Sequence, residues 1–264
     1  MHPIGISQLI AGNRSTEEFL VAARDNGYEA VELSLRPQGG LTPQTTPAEL
    51  DAIAERARAL GLTIASVTLG HCTGNLLATG ADQETSITQT AAGLEMAARL
   101  GAPVALHTLG RLSPDLYYDD AYRHAVAALR RLAPTAERLG VAIAFEFVWN
   151  GFLFSPMEVA RFLDEVGSPA VGFYFDPGNM AVFQFPHHWV RIVGRRIKRV
   201  HLKDWKGNAL NGGWTPLQEG AVDFARVMAE LRAAGYTGPL ISEVPESLAT
   251  LSATADAIRR IRAL

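Results

Sequence analysis

One phrase recurs along this chain and constrains its fold more than any other feature. An amphipathic helix runs out near a glycine, a short apolar run follows, and a polar residue closes that run. It appears as NGYEAVEL (26–33), LGLTIASV (60–67), LGAPVALH (100–107), LGVAIAFE (139–146), SPAVGFYFD (168–176), RIKRVHLKD (196–204) and YTGPLISE (236–243), with IGISQLI (4–10) as a further run at the front. These make eight strand candidates. The runs are continuously apolar rather than alternating, as expected of parallel strands covered on both faces.

The segments between them carry helix-start signals. Ser15 with Glu18, Thr46 with Glu49 and Ser155 with Glu158 have capping-box spacing, and Pro47 and Pro156 stand at first-turn positions. Apolar residues recur at helical spacing, as in Val159, Phe162, Leu163 and Val166. Pro134 is expected to kink or split the helix between about 119 and 139, because proline removes a backbone donor and crowds the preceding turn.

Eight strands alternating with helices over 264 residues match the length of one closed α/β barrel. An open dinucleotide-binding sheet would show G-x-G-x-x-G after its first strand, and Gly5 and Gly12 do not make that motif. No linker or low-complexity stretch divides the chain. The predicted fold is therefore α/β, a single (β/α)8 TIM barrel over residues 1–264.

Composition bounds the function. A formal net charge of −3 gives no electrostatic reason to expect nucleic acid as a partner. Cys72 is the only cysteine, so no intrachain disulfide forms and a reducing setting fits best. The opening MHPIGISQLIAGN lacks the basic and long apolar regions of a secretion signal. No apolar run approaches the ~20 residues of a spanning helix. A cytoplasmic protein with no membrane partner is expected.

In barrels of this kind function sits where the strands end and the βα loops open. The fifth candidate ends in Glu146, the sixth in Asp176, the seventh holds His201, and the eighth ends in Glu243. A single acidic residue closing a strand is usually a cap or an ion-pair partner. Four such residues on consecutive strands would gather three carboxylates at one mouth, with strong repulsion and desolvation unless something neutralises them. A divalent cation does so, and three carboxylates with one imidazole form an oxygen-rich set suited to Mn²⁺, Mg²⁺ or Co²⁺ more than to a thiolate-bound structural zinc.

With these residues in place, the chain resembles the xylose-isomerase-like barrel superfamily of sugar and sugar-phosphate isomerases and epimerases, and within it the ketose 3-epimerases. The resemblance is densest in FEFVWNGFLFSPMEVARFLDEVGSPAVGFYFDPGNM (145–180), RRIKRVHLKDWKG (195–207) and LQEGAVDFARVMAELRAAGYTGPLISEV (217–244). The D-P-G-N and H-x-K-D phrases carry most of it. It implies one divalent metal ion, manganese first with magnesium or cobalt as alternatives, held by Glu146, Asp176, His201 and Glu243. It also implies a small carbohydrate substrate and a homodimer or homotetramer. Glu146 and Glu243 would be both ligands and acid/base residues, taking a proton beside the carbonyl from one face and returning one to the other, by way of an enediolate. Where many ketose epimerases have a substrate-contacting histidine three residues after the strand-six aspartate, this chain has Asn179, which can hydrogen-bond a substrate hydroxyl but does not readily carry a proton. An arginine that some epimerases use beyond strand seven has no match, and Lys203 and Lys206 are the nearby cations.

Further candidates for substrate contact are His107 at the end of strand four, Glu32 near the end of strand two, Lys203, Trp149 and Trp205. His107 could equally be a satisfied structural histidine or a support for Glu146. Lys203 lies two residues past His201 and so shares its face; it could meet a substrate oxygen or a phosphate, or pair with Asp204 or Glu219. Trp149, Phe152, Trp205 and Trp214 are placed in loops, where indoles could wall a sugar pocket. His187 and His188 read as loop structure, and Cys72 as inert.

The leading function is a metal-dependent ketose or ketose-phosphate epimerase or isomerase. The alternative is a lyase or hydratase on a keto-sugar, keto-inositol or 3-keto-glycoside. Apurinic endonucleases of the same fold need further histidines for a metal cluster, but Asn179 fills one such place and no Asp-x-His pair follows His201. A non-catalytic binding protein is the remaining reading.

Overall fold

The structure is a computed structural model that describes residues 2–209 and 211–264. Its barrel strands are β1 (Ile4–Ser7), β2 (Ala30–Ser34), β3 (Thr63–Thr68), β4 (Val104–His107), β5 (Ala142–Glu146), β6 (Val171–Phe175), β7 (Ile197–Leu202) and β10 (Leu240–Ser242). They close in the order β1-β10-β7-β6-β5-β4-β3-β2, and every pairing is parallel. The helices that cover them are α1 (Thr16–Asp25), α2 (Pro47–Ala59), α3 (Gly80–Arg99), α4 (Tyr118–Leu139), α5 (Pro156–Val166), the short α6 (Pro177–Ala181), α7 (Pro186–Val193), α8 (Phe224–Ala233) and α9 (Leu251–Ala263). An antiparallel hairpin, β8 (Asp204–Asn208) with β9 (Asn211–Thr215), stands on the rim beyond β7. The single (β/α)8 barrel is the fold that the recurring apolar runs predict.

Local chemistry starts the helices where expected. Ser15 and Glu18 cap α1 reciprocally, and Thr46 and Glu49 do the same for α2. At α5 the Ser155 hydroxyl accepts from Glu158 N, but no return bond forms, because Glu158 Oε1 accepts from the Tyr118 hydroxyl at 2.7 Å. Tertiary packing wins there. Pro134 does not split its helix: α4 runs unbroken for 22 residues. Pro134 and Arg130 are both exposed, so the proline lies on the solvent side of α4, where a missing helical hydrogen bond is least costly.

Two packed layers result. Outside the strands, Phe145 packs edge-on against Phe162 of α5 and Phe173 of β6, and Trp189 of α7 stacks on Phe173. Each of these side chains is buried, which stabilises by about 1.5–3 kcal/mol per side chain. Val104, Leu106, Ala144 and Tyr174 form one separate apolar cluster, and Ala30, Ala65 and Ile241 form another. No helix among the described residues is long and apolar enough to cross a membrane.

The rim departs from expectation in three places. The seventh run does not continue as one strand to 204. It stops at Leu202, and Asp204 begins the hairpin, so Trp205 and Trp214 sit on paired strands rather than in loops. Asp204 anchors the segment that follows, accepting from the backbone N–H groups of Trp205, Gln218, Gly220 and Val222 at 2.9–3.1 Å. His187 and His188 lie on α7, not in a loop.

Candidate metal centre

The ends of four adjacent strands meet at the barrel mouth. Glu146 is the last residue of β5, and Asp176 follows β6 and caps α6. His201 lies one residue from the end of β7, and Glu243 follows β10. One ligating atom from each lies within 4.8 Å of the others. Asp176 and His201 are fully buried, Glu146 nearly so, and Glu243 is 13% exposed at its side chain. Opposite ligands of one small divalent cation stand about 4.2 Å apart, so the spacing suits a single ion.

Two carboxylate oxygens make the case more directly. Asp176 Oδ2 and Glu243 Oε2 are buried and have no hydrogen-bond partner. Buried polar atoms are nearly always satisfied, and two carboxylate oxygens without a hydrogen bond, balanced by the Lys203 ammonium, mark a place where a cation fits. Asp176 Oδ1, in contrast, accepts from Gly178 N at 2.8 Å and Asn179 N at 3.3 Å, which fixes the side chain's aim. The donor set is hard and oxygen-rich, and it fits Mn²⁺, Mg²⁺ or Co²⁺.

Lys203 adds a positive charge to this group. Its Nζ lies 2.9 Å from Asp176 Oδ2 and pairs with Glu243 Oε2, off the hydrogen-bonding direction of both oxygens. It also sits 5.2 Å from the centre of the Trp214 ring. Asp204 and Glu219, the partners considered from sequence, are not its partners; Asp204 is spent on backbone N–H groups. Burial works against the ammonium, but Asp176, Glu243 and Glu146 outweigh it and hold Lys203 well above its usual range. Gly178 permits the approach, since a Cβ there would lie 2.5 Å from Lys203 Cβ.

The field is strong throughout. Burial pushes Glu146 up to about 7, against the pull of His201 and Lys203. Burial would also discharge His201, but Glu32, Glu243 and Glu146 hold it well above an ordinary imidazole. A site that draws a positive charge onto a buried ring is equally a site that draws a metal ion.

The other sequence candidates distribute themselves around this centre. Asn179 is buried, and its Nδ2 donates to Glu146 Oε1 at 3.0 Å and to Phe147 O at 2.9 Å, so it orients Glu146. Trp149 donates from Nε1 to Asn179 O at 2.9 Å and stacks on Trp214 with ring centres 5.3 Å apart. Its backbone is left-handed, with φ 58°, a conformation an indole-bearing residue adopts only when its surroundings hold it there. Trp205 is buried and packs edge-on against both rings.

His107 is closed off within the protein. Leu109 N donates to its Nδ1 at 2.8 Å, Thr90 Oγ1 bonds its Nε2 at 3.2 Å, and burial pushes it down to about 4. Both ring nitrogens are engaged within the protein. Glu32 has no exposed surface, which does not suit the substrate contact expected of it. It hydrogen-bonds instead with His201 and with the hydroxyls of Ser7, Ser66 and Tyr174. Those three hydroxyls were not singled out from sequence, although Tyr174 stands two residues before Asp176 and so shares its face of β6.

A cavity of about 200 Å³ adjoins the centre, lined by Lys203, Trp214 and Glu243 and walled on its apolar side by Ile10, Val244 and Leu248. Its volume suits a small ligand with carbon–hydrogen faces.

Comparison with known proteins follows the same lines. Residues 20–264 match the family model described as xylose isomerase-like TIM barrel. The L-ribulose-5-phosphate 3-epimerase UlaE of Shigella boydii serotype 18 is 27% identical over 162 residues, 58% of this chain and 56% of that protein. The 3-oxo-isoapionate decarboxylase of Pectobacterium atrosepticum is 30% identical over 91 residues, 34% of this chain and 32% of that protein. The matches thus span about half or less of these curated relatives. Among solved structures, D-psicose 3-epimerase from Clostridium cellulolyticum H10 superposes with a TM-score of 0.84 at 14% identity, over 99% of this chain and 98% of that one, a likeness of fold.

Proposed function

Since the chain belongs to the xylose isomerase-like TIM barrel family, we propose that it is a sugar epimerase or isomerase that requires one divalent metal ion and acts on a ketose or ketose phosphate. The observation that carries this reading is the convergence of Glu146, Asp176, His201 and Glu243, with two buried carboxylate oxygens among them that make no hydrogen bond and meet the Lys203 ammonium. The similarity to a ribulose-phosphate 3-epimerase and the shared fold with a psicose 3-epimerase support it.

A divalent cation held by these four residues supplies Lewis acidity to the substrate carbonyl and its neighbouring hydroxyl. The chain's own groups do the rest. Glu146 and Glu243 come from strands separated in the barrel order by β6 and β7, so they approach a bound ketose from different sides. One takes the proton from the carbon beside the carbonyl, and the other returns a proton to the opposite face. Asn179 holds Glu146 in place. The Lys203 ammonium, held by Asp176 and Glu243, would meet the negative charge that develops on the substrate oxygens. Trp149, Trp205 and Trp214 shield this end of the site from water. His107 supports the barrel wall rather than the substrate.

The test is solvent exchange. The manganese-loaded protein, incubated with a panel of ketoses and ketose phosphates in deuterated water, is expected to place deuterium at carbon three of at least one of them. Glu243→Gln is expected to fold and to lower that exchange by about 10²-fold or more. No exchange across the panel by protein that holds its metal would overturn the reading.

A second reading follows from the match to a decarboxylase of a 3-oxo sugar acid. The same polarised ketone also stabilises the carbanion left by a departing group. Product mass separates the two, since epimerisation conserves it and loss of carbon dioxide or water does not.

A further inference from the structure

Glu32 is a fully buried carboxylate 2.8 Å from the Nε2 of His201, on the side of the ring turned away from the other carboxylates. The same imidazole presents Nδ1 to Glu146 Oε1 at 3.5 Å and Glu243 Oε2 at 3.8 Å. We propose that Glu32, tied down by the hydroxyls of Ser7, Ser66 and Tyr174, is the positioning residue that fixes the tautomer and aim of His201 and thereby forms the Nδ1 ligand of the metal centre. The inference rests on the metal-binding reading of the four-residue set.

The hydrogen-bond count is what compels it. An ionised carboxylate only accepts, and it offers about four lone-pair sites. Oε1 of Glu32 receives Ser7 Oγ at 2.7 Å and His201 Nε2 at 2.8 Å, while Oε2 receives Ser66 Oγ at 2.7 Å and Tyr174 OH at 2.5 Å. Every site is used. The Ser7 oxygen meanwhile accepts from Leu9 N at 3.2 Å, so its own proton is free to point at Glu32. Against a carboxylate held in this way, His201 Nε2 must carry a proton. When a cation takes the place of the ring's second proton, the lone pair left on Nδ1 faces the carboxylate set.

The arrangement is built from distant parts of the chain. Ser7 ends β1, Glu32 lies in β2, Ser66 in β3, Tyr174 in β6 and His201 in β7. Four barrel strands therefore contribute to holding a ring carried by a fifth. The Tyr174 ring also lies against the imidazole, with centres 4.3 Å apart, and restricts its rotation. A carboxylate serving only to fill the barrel interior would need none of this, and an apolar residue would cost less to bury.

Titration of the purified protein with Mn²⁺, followed by calorimetry, tests the proposal without reference to turnover. Glu32→Gln is expected to weaken Mn²⁺ binding by about 10–100-fold. Tyr174→Phe, which deletes one hydroxyl and no charge, is expected to weaken it by less than tenfold and keeps the test open if Glu32→Gln does not fold. Nitrogen-15 spectra of the zinc-loaded protein should show His201 protonated at Nε2 in the wild type, with that signature lost or shifted in both variants. Unchanged Mn²⁺ affinity and an unchanged ring signature in folded variants would overturn the role of Glu32 while leaving the metal centre standing. Wild-type protein that binds no Mn²⁺ would overturn both.

Discussion

At the scale of single residues, the site depends as much on what is small or neutral as on what is charged. Gly178 and Lys203 belong to the D-P-G-N and H-x-K-D phrases, and the structure explains why they occur together. The turn after Asp176 packs so closely on β7 that a Cβ at Gly178 would meet Lys203 Cβ at 2.5 Å and its carbonyl carbon at 2.9 Å. Gly178→Ala is expected to destabilise the protein by about 1–3 kcal/mol through overpacking. In a domain of this size that corresponds to a Tm about 2–10 °C lower in thermal unfolding. Metal affinity should fall as well, because the displaced turn carries the N–H groups that aim Asp176. Gly220 has the same character: its absent side chain makes room for the Asp204 carboxylate, and a Cβ there would lie 2.2 Å from Oδ1.

At the scale of elements, the strands were legible because burial on both faces writes an uninterrupted apolar run, and the polar residue that ends each run marks the barrel mouth. The four clustered residues were legible for the same reason. The β8–β9 hairpin was not recognised. Its Gly207, Asn208, Asn211, Gly212 and Gly213 lie between two tryptophans that look like loop aromatics until the pairing of Trp205 with Trp214 is seen. Glu32 and His107 were found as polar strand ends, but parity along one strand cannot tell an inward residue that reaches the cavity from one sealed behind it. That distinction is set by neighbours such as Ser66 and Thr90, which are remote in sequence. Pro134 shows the limit of a local rule. The helix continues through it on its exposed side, so the remaining penalty is a missing hydrogen bond and a steric contact. Pro134→Ala should therefore stabilise α4 by about 1–3 kcal/mol, raising Tm by several degrees without altering any kinetic property.

At the scale of the whole molecule, the proposed metal centre would add a shared tie to strands already joined by backbone pairing and side-chain packing. Glu146, Asp176, His201 and Glu243 gather β5, β6, β7 and β10, half the circumference of the barrel, around one point. Without an ion, the buried carboxylates repel one another across that arc, with Lys203 and His201 to offset them. Binding to the folded state alone adds about 2.7 kcal/mol when free metal is 100 times its dissociation constant. Chelation is therefore expected to lower Tm by about 5–10 °C, with recovery on adding Mn²⁺. An unaltered melting curve would contradict a resident ion.

The tryptophan cluster over this centre makes such a titration self-reporting. Trp149 arrives from the β5 side and Trp205 and Trp214 from the hairpin, and their rings stand 5.0–5.8 Å apart beside the Lys203 ammonium. The fourth indole, Trp189, is buried under α7 against Phe173, where its emission supplies a constant background. Any ligand that displaces Lys203 or parts the two rim segments must change the light emitted by three of the protein's four tryptophans, so occupancy can be followed in unlabelled protein on the timescale of mixing.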